Sequence, residues 1–580
     1  MAQLLFVPIA EQIESGTYLL YDGACGTGGM LTVAEETLLK LAAEHRKEVS
    51  IHLFGQEINP ETYAICKADL LLKGEGQEAE NIVGGADKST LSNDAFLSRD
   101  FDFMLSNPPY GKSWKTDLER MGGKADLKDP RFVISHGGDP EYKLVTRSSD
   151  GQLMFLVNML SKIKRGTRLG SRIAIVHNGS ALFTGDAAQG ESNIRRWIVE
   201  NDWLEAIIAL PLNMFYNTGI ATYIWVLTNR KAEARKGKVQ LIDAVQWFKP
   251  LRKNLGKKNC ELGPDDIERI VQLLVNFKET ENSKIFPNEK FGYWKITVER
   301  PLRLQSQFTR ANVEALRFAS GDLALRRELF NRFGNAIYDD FLRTRGEMEQ
   351  MLLGEEESEE EEEGGENAAP QKKAVPEKRR KKLLDPDTWS RDRKLHLAAR
   401  AVWQVVGDKV FVDHNAFRER FDAAAKEVAS YLSTAERKLI QRGVSQRDAA
   451  AMPVLSGKPS KPTKDVNYKR ERLYGQFLID AQKSEVVQYE PDPELRDTEE
   501  VPLLHTGGIE RFFKQEVLPY TEDAWIDPNS TKVGYEISFA RHFYKPKRLR
   551  TLDEIKGEIA ELEKQTEGLL KHIIGVTVST

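Results

Sequence analysis

The chain has 580 residues, which is well beyond the size at which one hydrophobic core keeps growing, so we expect two or more domains. Its 84 Lys and Arg residues against 88 Asp and Glu residues give a formal net charge of -4, which excludes a uniformly basic protein that coats nucleic acid. Any contact with a polyanion must therefore come from a local patch or a partner. The three cysteines, Cys25, Cys66 and Cys260, are odd in number and far apart, so they support neither a disulfide framework nor a zinc cluster.

The apolar segments and the start of the chain indicate a cytoplasmic protein. No early basic region follows Met1, so no secretory signal is predicted. The most apolar window, residues 204–227, contains Glu205, Pro211 and Asn213, which suits two buried strands joined by a loop better than a membrane span. We therefore expect a soluble protein without membrane contact, in a reducing compartment.

Residues 1–245 alternate short apolar, β-rich runs with longer amphipathic segments, and this pattern predicts an α/β, Rossmann-like domain with a parallel sheet. The predicted strands are residues 17–21, 51–56, 101–106, 172–177, 205–210 and 221–228. The predicted helices are residues 31–44, 60–73, 152–164 and 192–200. In such a sheet ligands bind outside the carboxyl ends of the strands, and the two motifs described next both follow strand ends.

The first predicted strand runs into a glycine-rich turn, Asp22-Gly-Ala-Cys-Gly-Thr-Gly-Gly29. Gly26, Gly28 and Gly29 let the backbone turn sharply and approach a ligand without obstruction by a Cβ atom. Asp22 can accept hydrogen bonds from a charged amino group, which suits the methionine end of S-adenosylmethionine better than a pyrophosphate. Such turns also occur in α/β proteins for packing alone.

Glu57 follows the second predicted strand. An acidic side chain at that place commonly binds ribose hydroxyls in nucleotide-binding sheets. The alternative interpretation is an exposed residue near the start of a helix, where a carboxylate suits the helix dipole. Together with the glycine turn, Glu57 is predicted to be a ribose ligand.

The third predicted strand ends in Asn107-Pro108-Pro109-Tyr110. Two consecutive prolines hold the chain extended and remove two N–H donors, which leaves carbonyl groups free to accept. A poorly nucleophilic amino group on a base needs two acceptors, and the Asn107 side chain and the Pro108 carbonyl can supply them. The ring of Tyr110 offers a surface on which a flipped base can stack. A rigid turn without catalytic function is the alternative.

The rest of the chain is predicted to be a series of appended regions. Residues 246–353 are charged and favour helix, residues 354–385 combine eight glutamates in nine residues with a basic run and indicate a disordered linker, and residues 386–540 are mixed but mainly helical. Residues 541–580 are predicted to form a C-terminal helix that docks on a partner subunit, or alternatively on the chain itself. Its apolar stripe is Leu552, Ile555, Ile559, Leu562, Leu569 and Ile573.

At these motifs the chain resembles the methylation subunit of type I restriction-modification systems, an adenine-N6 DNA methyltransferase of the γ order, in which the glycine turn precedes the catalytic tetrapeptide. The resemblance extends through residues 171–183, 207–220, 291–302 and 536–544. It implies that the target adenine is held by Asn107, Pro108 and Tyr110. It also implies that S-adenosylmethionine is bound by Asp22, Ala24, Gly26, Thr27, Gly28, Gly29 and Glu57.

The resemblance implies three partners: DNA, a specificity subunit that contacts the C-terminal helix, and a restriction subunit in the full complex. Members of the family have an N-terminal helical domain and a further cofactor-binding segment before the first strand, so we expect this chain to be truncated at its N-terminus. The expected reaction is methyl transfer to N6 of adenine in DNA. The alternatives are cytosine-N4 or protein-glutamine methylation, or a non-catalytic scaffold of the same complex.

Overall fold

A computed structural model describes residues 1–73, 76–216, 218–353, 374–463, 466–479, 485–544 and 550–574. The chain forms two compact units, of which the first comprises Met1–Trp294, Pro502–Leu504 and Lys532–Thr580 and the second comprises Lys295–Val501 and His505–Thr531. Across the described ranges, no helix is both long and apolar enough to cross a membrane.

The first unit is built from a large sheet and the helices that flank it. Its strands up to Trp294 are β1 Gly16–Asp22, β2 Val49–Glu57, β3 Ile82–Gly84, β4 Phe103–Ser106, β5 Val133–His136, β6 Asp139–Lys143, β7 Arg172–Asn178, β8 Leu204–Ala209, β9 Thr222–Thr228, β10 Lys238–Asp243, β11 Lys249–Leu255, β12 Lys258–Glu261 and β13 Ser283–Pro287. Its helices there are α1 Ala2–Phe6, α2 Gly29–Glu44, α3 Pro60–Leu72, α4 Gly76–Glu80, α5 Lys115–Arg120, α6 Gly123–Asp126, α7 Gln152–Ser161, α8 Ser180–Phe183, α9 Gly190–Glu200 and α10 Pro264–Asn276, with 3-10 turns at Val7–Gln12, Glu233–Arg235 and Asn288–Phe291.

The remaining elements follow in chain order. The strands are β14 Gly292–Glu299, β15 Leu304–Ser306, β16 Ser445–Arg447, β17 Phe477–Ile479, β18 Glu485–Val487, β19 Asp497–Pro502, β20 Trp525–Ile526 and β21 Lys532–Tyr535. The helices are α11 Arg310–Ala315, α12 Leu323–Phe333, α13 Ala336–Asp339, α14 Phe341–Leu353, α15 Glu377–Leu383, α16 Pro386–Val406, α17 His414–Val428, α18 Thr434–Gly443, α19 Tyr468–Glu471, α20 Gly508–Phe512, α21 Phe539–Phe543 and α22 Leu552–Ile574, with 3-10 turns at Leu316–Phe318 and Arg472–Tyr474 and a π-helical turn at Phe513–Val517.

The main sheet has nine strands in the order β13-β10-β8-β9-β7-β4-β1-β2-β3. Strand β9 runs antiparallel to β7 and β8, β13 runs antiparallel to β10, and the other pairings are parallel. The chain builds outward from β1 to β3 on one side and from β4 onward on the other, so the order reverses between β1 and β4. In open α/β sheets this reversal creates a ligand-binding crevice at the carboxyl ends of the strands. The predicted α/β, Rossmann-like sheet is therefore confirmed.

The sheet is covered on both faces because its strands are apolar at successive positions. Tyr21, Phe54 and Met104 point into one buried cluster, which also contains helices α7 and α9. Their neighbours Leu20, Leu53 and Phe103 point into the other, which also contains α1, α2 and α10. The alternation follows from the two-residue period of a strand.

The predicted helical extension over residues 246–353 differs from the structure in its first part. Residues 249–261 form a two-stranded hairpin, and Ser283–Pro287 is an edge strand of the main sheet paired with β10. The hairpin is mostly exposed and lacks the apolar alternation that reveals a half-buried strand, and the edge strand is short. Helices predominate only after residue 309.

The predicted linker, residues 354–385, falls largely on residues 354–373, which lie outside the described residues. At its end, the basic run belongs to helix α15, which differs from the predicted disorder. Leu383 is buried against Trp389, and this contact gives a short charged segment a packed side. The second unit is otherwise mainly helical, with α16 and α17 around a buried cluster that includes Phe417 and Phe421.

The main sheet is braced by a buried charge cluster around Asp94. The Asp94 carboxylate, whose side chain is 0% exposed, accepts from Lys162 and, at 3.1 Å, from Arg131. Arg131 also donates to the carbonyls of Thr90 and Leu91. The cluster therefore ties the segment after β3 to the C-terminal end of α7.

Replacing Asp94 by Ala leaves two buried cations without their shared partner, so we expect the free energy of unfolding to fall by about 3–5 kcal/mol. Urea unfolding followed by tryptophan fluorescence measures this change. Lys115→Ala, which removes an exposed pair with Glu119, is the matched control and should cost less than about 1 kcal/mol. A loss for Asp94→Ala no larger than that of the control contradicts the proposed role of the cluster.

Candidate active site

The two sequence motifs meet at the reversal point of the sheet. Strands β1 and β4 are parallel neighbours, with Leu20 opposite Phe103 and Tyr21 opposite Met104. At the ends of these two strands, the Ser106 hydroxyl donates to Asp22 Oδ1 at 2.7 Å, and both side chains are buried. A direct hydrogen bond therefore joins the first residue of the glycine turn to the residue that precedes the tetrapeptide.

Asp22 is an incompletely satisfied buried carboxylate. Its Oδ1 also accepts from the Ala24 N–H at 2.9 Å, whereas Oδ2 has no hydrogen-bond partner within the described part of the chain. Burial raises the pKa of Asp22 to about 7, against the opposing effect of the hydrogen bonds from Ala24 and Ser106, and the charge of Glu57 adds to the rise. A free acceptor in a buried place attracts a donor or cation, because burying it unpaired is costly.

The glycine turn leads directly into helix α2. Gly26 and Gly28 have φ values of 55° and 81°, a left-handed region that favours glycine. Gly28 is the N-cap of α2, and a Cβ atom there would lie 2.6 Å from Cys66 Sγ. Thr27 and Gly29, by contrast, are exposed, and Gly29 has open space where a Cβ atom would lie. The turn thus has one tightly packed side and one open side.

Glu57, at the end of β2, faces the glycine turn. Its Oε2 accepts from the Gly26 N–H at 2.9 Å, and its Oε1 accepts from the Asn59 N–H at 2.8 Å. The N-cap of α3 is Asn59, which accepts from Glu61 and Thr62. Glu57 is therefore not the residue that caps the helix, and its carboxylate instead borders the turn.

The tetrapeptide presents polar atoms at the same edge of the sheet. Asn107 is exposed, Pro108 is buried, and Tyr110 is partly buried. The Tyr110 hydroxyl donates to Asn107 Oδ1 at 3.1 Å. Burial raises the pKa of Tyr110, although its bond to Asn107 acts in the opposite direction, so the phenol is the donor at neutral pH.

Several buried polar residues that support these motifs were not identified from the sequence. Gln56 is fully buried, and its side-chain amide donates to the carbonyls of Lys88 and Asn93, which holds the segment after β3 beside the turn. Within that segment the Thr90 hydroxyl donates to the Gly23 carbonyl. The signal in the sequence is a polar residue at the end of an apolar strand, and only the tertiary structure shows its partners.

A second support lies behind the tetrapeptide. Asp150 Oδ1 accepts from the Gly111 N–H at 3.2 Å, and Asp150 Oδ2 accepts from Gln152 at 2.7 Å. Gln152 also donates to Asn178, at the carboxyl end of β7, at 2.7 Å. This chain of hydrogen bonds holds the exit of the tetrapeptide against the next strand of the sheet.

A nine-stranded sheet of this order, with a glycine turn after β1 and an Asn-Pro-Pro-Tyr segment after β4 at its reversal point, is the Rossmann-like sheet typical of S-adenosylmethionine-dependent methyltransferases. Comparison with known proteins agrees, because residues 3–291 match the model of the N-6 DNA methylase family. This region of the chain belongs to that family.

Individual relatives match over about half of the chain. The chain is 29% identical over 263 residues to the type I restriction enzyme MjaIX methylase subunit of Methanocaldococcus jannaschii, covering 45% of this chain and 42% of the relative. It is 28% identical over 307 residues to the MpnII methylase subunit of Mycoplasma pneumoniae, covering 51% of each. The chain thus spans about half the length of these relatives.

Among solved structures, a type I restriction-modification methyltransferase subunit from Streptococcus thermophilus is similar to this chain. It shares 26% identity, with coverage of 50% of this chain and 55% of that one and a TM-score of 0.40.

Replacing Gly28 by Ala should destabilise the first unit by about 2 kcal/mol, because it combines a left-handed backbone with a Cβ atom 2.6 Å from Cys66 Sγ. Gly29→Ala, one residue later and in open space, is the matched control and should leave stability unchanged or slightly raised. Thermal and urea unfolding of both variants provide the measurement. Equal stability of the two variants contradicts the tight packing at Gly28.

The raised pKa of Asp22 predicts a pH-dependent stability. Between pH 3.8, the ordinary pKa of an aspartate, and about pH 7, the folded protein holds a proton that the unfolded chain has lost, so stability falls as pH rises through this window. Asp22→Asn removes the titration and keeps both acceptor contacts. The stability of the variant relative to wild type should therefore rise from about pH 5 to about pH 8.

Urea unfolding of wild type and Asp22→Asn at about pH 5 and about pH 8 measures this change in relative stability. Asp69→Asn is the matched control, because that half-exposed carboxylate lies on the outer side of α3 and pairs with Lys73. Its difference from wild type should change little with pH. A difference for Asp22→Asn that is the same at both pH values refutes the buried, protonated state of Asp22.

Proposed function

We propose that this chain transfers a methyl group from S-adenosylmethionine to N6 of adenine in DNA, as the modification subunit of a type I restriction-modification complex. The observation that carries the proposal is the hydrogen bond between Ser106 and Asp22, which brings the glycine turn and the start of the Asn-Pro-Pro-Tyr segment side by side. The family match and the relatives named as type I methylase subunits support it.

The proposed cofactor site is the open side of the glycine turn. The unpaired Asp22 Oδ2 suits the charged amino group of the methionine end, and a cation there would favour the ionised carboxylate. Glu57 borders the turn and retains lone pairs for ribose hydroxyls. The backbone that completes the site belongs to Ala24, Gly26, Thr27, Gly28 and Gly29. When bound, S-adenosylmethionine supplies an electrophilic methyl group.

The proposed catalytic residues are Asn107, Pro108 and Tyr110. Asn107 Oδ1 has two lone pairs, and the Tyr110 hydroxyl uses one, so the other can accept a hydrogen of the adenine amino group. The Tyr110 bond also orients the Asn107 amide. The Pro108 carbonyl is the second acceptor, and the Tyr110 ring is the stacking surface for a flipped base. Positioning and hydrogen bonding by these groups supply the catalysis.

The proposed partners are DNA, a specificity subunit and a restriction subunit. The C-terminal helix α22 supports a contact with the specificity subunit, because its described apolar side chains are exposed. These are Leu552, Ile555, Ile559 and Leu562, with exposures of 67%, 36%, 52% and 60%. A stripe at steps of three and four residues suits packing against another helix.

Asn107→Ala should lower methyl transfer by about 100-fold or more, because an acceptor that orients the amino group is lost. Binding of S-adenosylmethionine should stay within about twofold of wild type, since Asn107 lies outside the glycine turn. Tyr110→Phe keeps the ring and should lose less activity than Asn107→Ala. The assay uses the chain co-expressed with its specificity subunit and genomic DNA free of methylated adenine.

Mass spectrometry of nucleosides identifies the product. N6-methyladenine formed by wild type and lost in Asn107→Ala is the expected result. N4-methylcytosine without N6-methyladenine would replace adenine by cytosine as the substrate, and methylated glutamine in a protein would replace DNA. Failure of the wild-type chain to bind S-adenosylmethionine, alone or with the specificity subunit, would leave only a scaffold.

A further inference from the structure

The hairpin formed by β11 and β12 is a strongly basic, exposed element of the first unit. Its residues 249–261 carry one acidic side chain, Glu261, and five basic ones. The basic residues are Lys249, Arg252, Lys253, Lys257 and Lys258, of which four are exposed and Lys258 is partly exposed. None of these five forms an ion pair with a carboxylate of the described residues. Like charges left unpaired on one element repel each other and attract a polyanion.

The hairpin stands at the same edge of the sheet as the candidate active site. It leaves β10 after Asp243, which is aligned in parallel with Ala209 at the end of β8. Its base is held to the loop after β8, because the Cys260 thiol donates to the Leu212 carbonyl at 3.1 Å and the Asn259 N–H donates to the Asn213 carbonyl at 3.1 Å. The anchored base gives the charges a definite position at the carboxyl ends of the strands.

A cation-π contact fixes the segment that leads into the hairpin. The Arg269 guanidinium of α10 lies 4.0 Å from the centre of the Trp247 ring, which is buried. Trp247 immediately precedes the exposed Phe248 and the first residue of β11. The hairpin therefore projects from a packed base and not from a loose loop.

We propose that this basic hairpin binds the phosphate backbone of duplex DNA beside the base-binding site. The proposal rests on the proposed function, in that it takes DNA as the substrate. Because the whole chain has a net charge of -4, nonspecific attraction to DNA must come from such a local patch. Phosphate contacts position a duplex without reading its sequence, which leaves recognition to another subunit.

The dimensions of the sheet allow a single duplex to reach both Asn107 and the basic hairpin. Strand β4, which carries Asn107, and strand β10, which carries the hairpin, are separated by β7, β9 and β8. Four strand spacings of about 4.8 Å place them about 19 Å apart. That length corresponds to about five or six base pairs along a duplex axis. A duplex with an adenine extruded toward Asn107 can therefore present its flanking phosphates to the hairpin.

The basic run in the second unit is a weaker candidate for the same contact. In helix α15, Arg379 forms a bidentate pair with Asp322, and Lys381 pairs with Glu377 at 2.7 Å. These carboxylates neutralise part of the run, whereas the hairpin cations lack such partners among the described residues. The hairpin consequently offers more charge to an incoming phosphate.

The test removes three hairpin charges at once, in the variant Arg252→Gln, Lys253→Gln, Lys257→Gln of the full chain. Binding to a fluorescent 30-base-pair duplex is measured by anisotropy over a series of salt concentrations. Because each lost phosphate contact lowers the slope of log Kd against log salt by about 0.9, the slope should fall by about 2 to 3. At about 0.1 M salt the Kd should rise about tenfold or more.

The matched control removes three exposed charges from the opposite edge of the same unit, in Lys40→Gln, Arg46→Gln, Lys238→Gln. It should retain both the slope and the Kd of wild type within about twofold. In the methylation assay, the hairpin variant should raise the KM for DNA and leave kcat at saturating DNA and cofactor affinity unchanged. The three substituted hairpin residues contact neither the glycine turn nor the tetrapeptide.

A hairpin variant that binds DNA as the control does, with an unchanged slope, overturns the proposal. So does stronger binding of wild type to anionic phospholipid vesicles than to the duplex. Failure of the proposed function has a different signature, because wild type would then form no N6-methyladenine although its duplex binding still depended on the hairpin. The binding slope thus tests the hairpin, and the product analysis tests the reaction.

Discussion

The hydrogen bond from the Ser106 hydroxyl to the buried Asp22 carboxylate is the interaction on which the candidate site depends. It lies where the strand order reverses, so it joins the two loops that diverge from the sheet at that point. Because Asp22 is buried, its pKa is about 7 and one of its oxygens has no partner among the described residues. Near neutral pH its charged and neutral forms are therefore similarly populated. A cationic ligand at Asp22 would shift that balance toward the charged form.

Around this bond, each loop is held by polar side chains of neighbouring segments. Gln56 of β2 holds the segment after β3, Glu57 holds the glycine turn, and Asp150 holds the exit of the tetrapeptide. Such supports are typical of sites that must keep a reactive geometry without a ligand present. They also hold the backbone on which the exposed side chains of Thr27 and Asn107 stand.

The six strands and four helices predicted within residues 1–245 follow closely from the sequence because their apolar periods are strong and both faces of the sheet are buried. Sequence reasoning missed two other strands of the main sheet, β3, which is short, and β10, which is buried. It also missed elements that are exposed or lie at the edge of the sheet. The hairpin of residues 249–261 is exposed on nearly every residue, and β13 is an edge strand whose backbone bonds to β10. In the basic run of α15, local charge repulsion favours disorder, but a single buried leucine packs the helix against the protein.

The sequence by itself determined the fold class, the positions of the two motifs and the residue types able to bind an amino group, because strand periodicity and turn chemistry are local properties. Only the tertiary structure decided that Ser106 meets Asp22, that Glu57 turns toward the glycine loop, and that the basic hairpin stands at the same edge as Asn107. These facts depend on strand order and register. Register is set by the packing of distant segments, which no local pattern encodes.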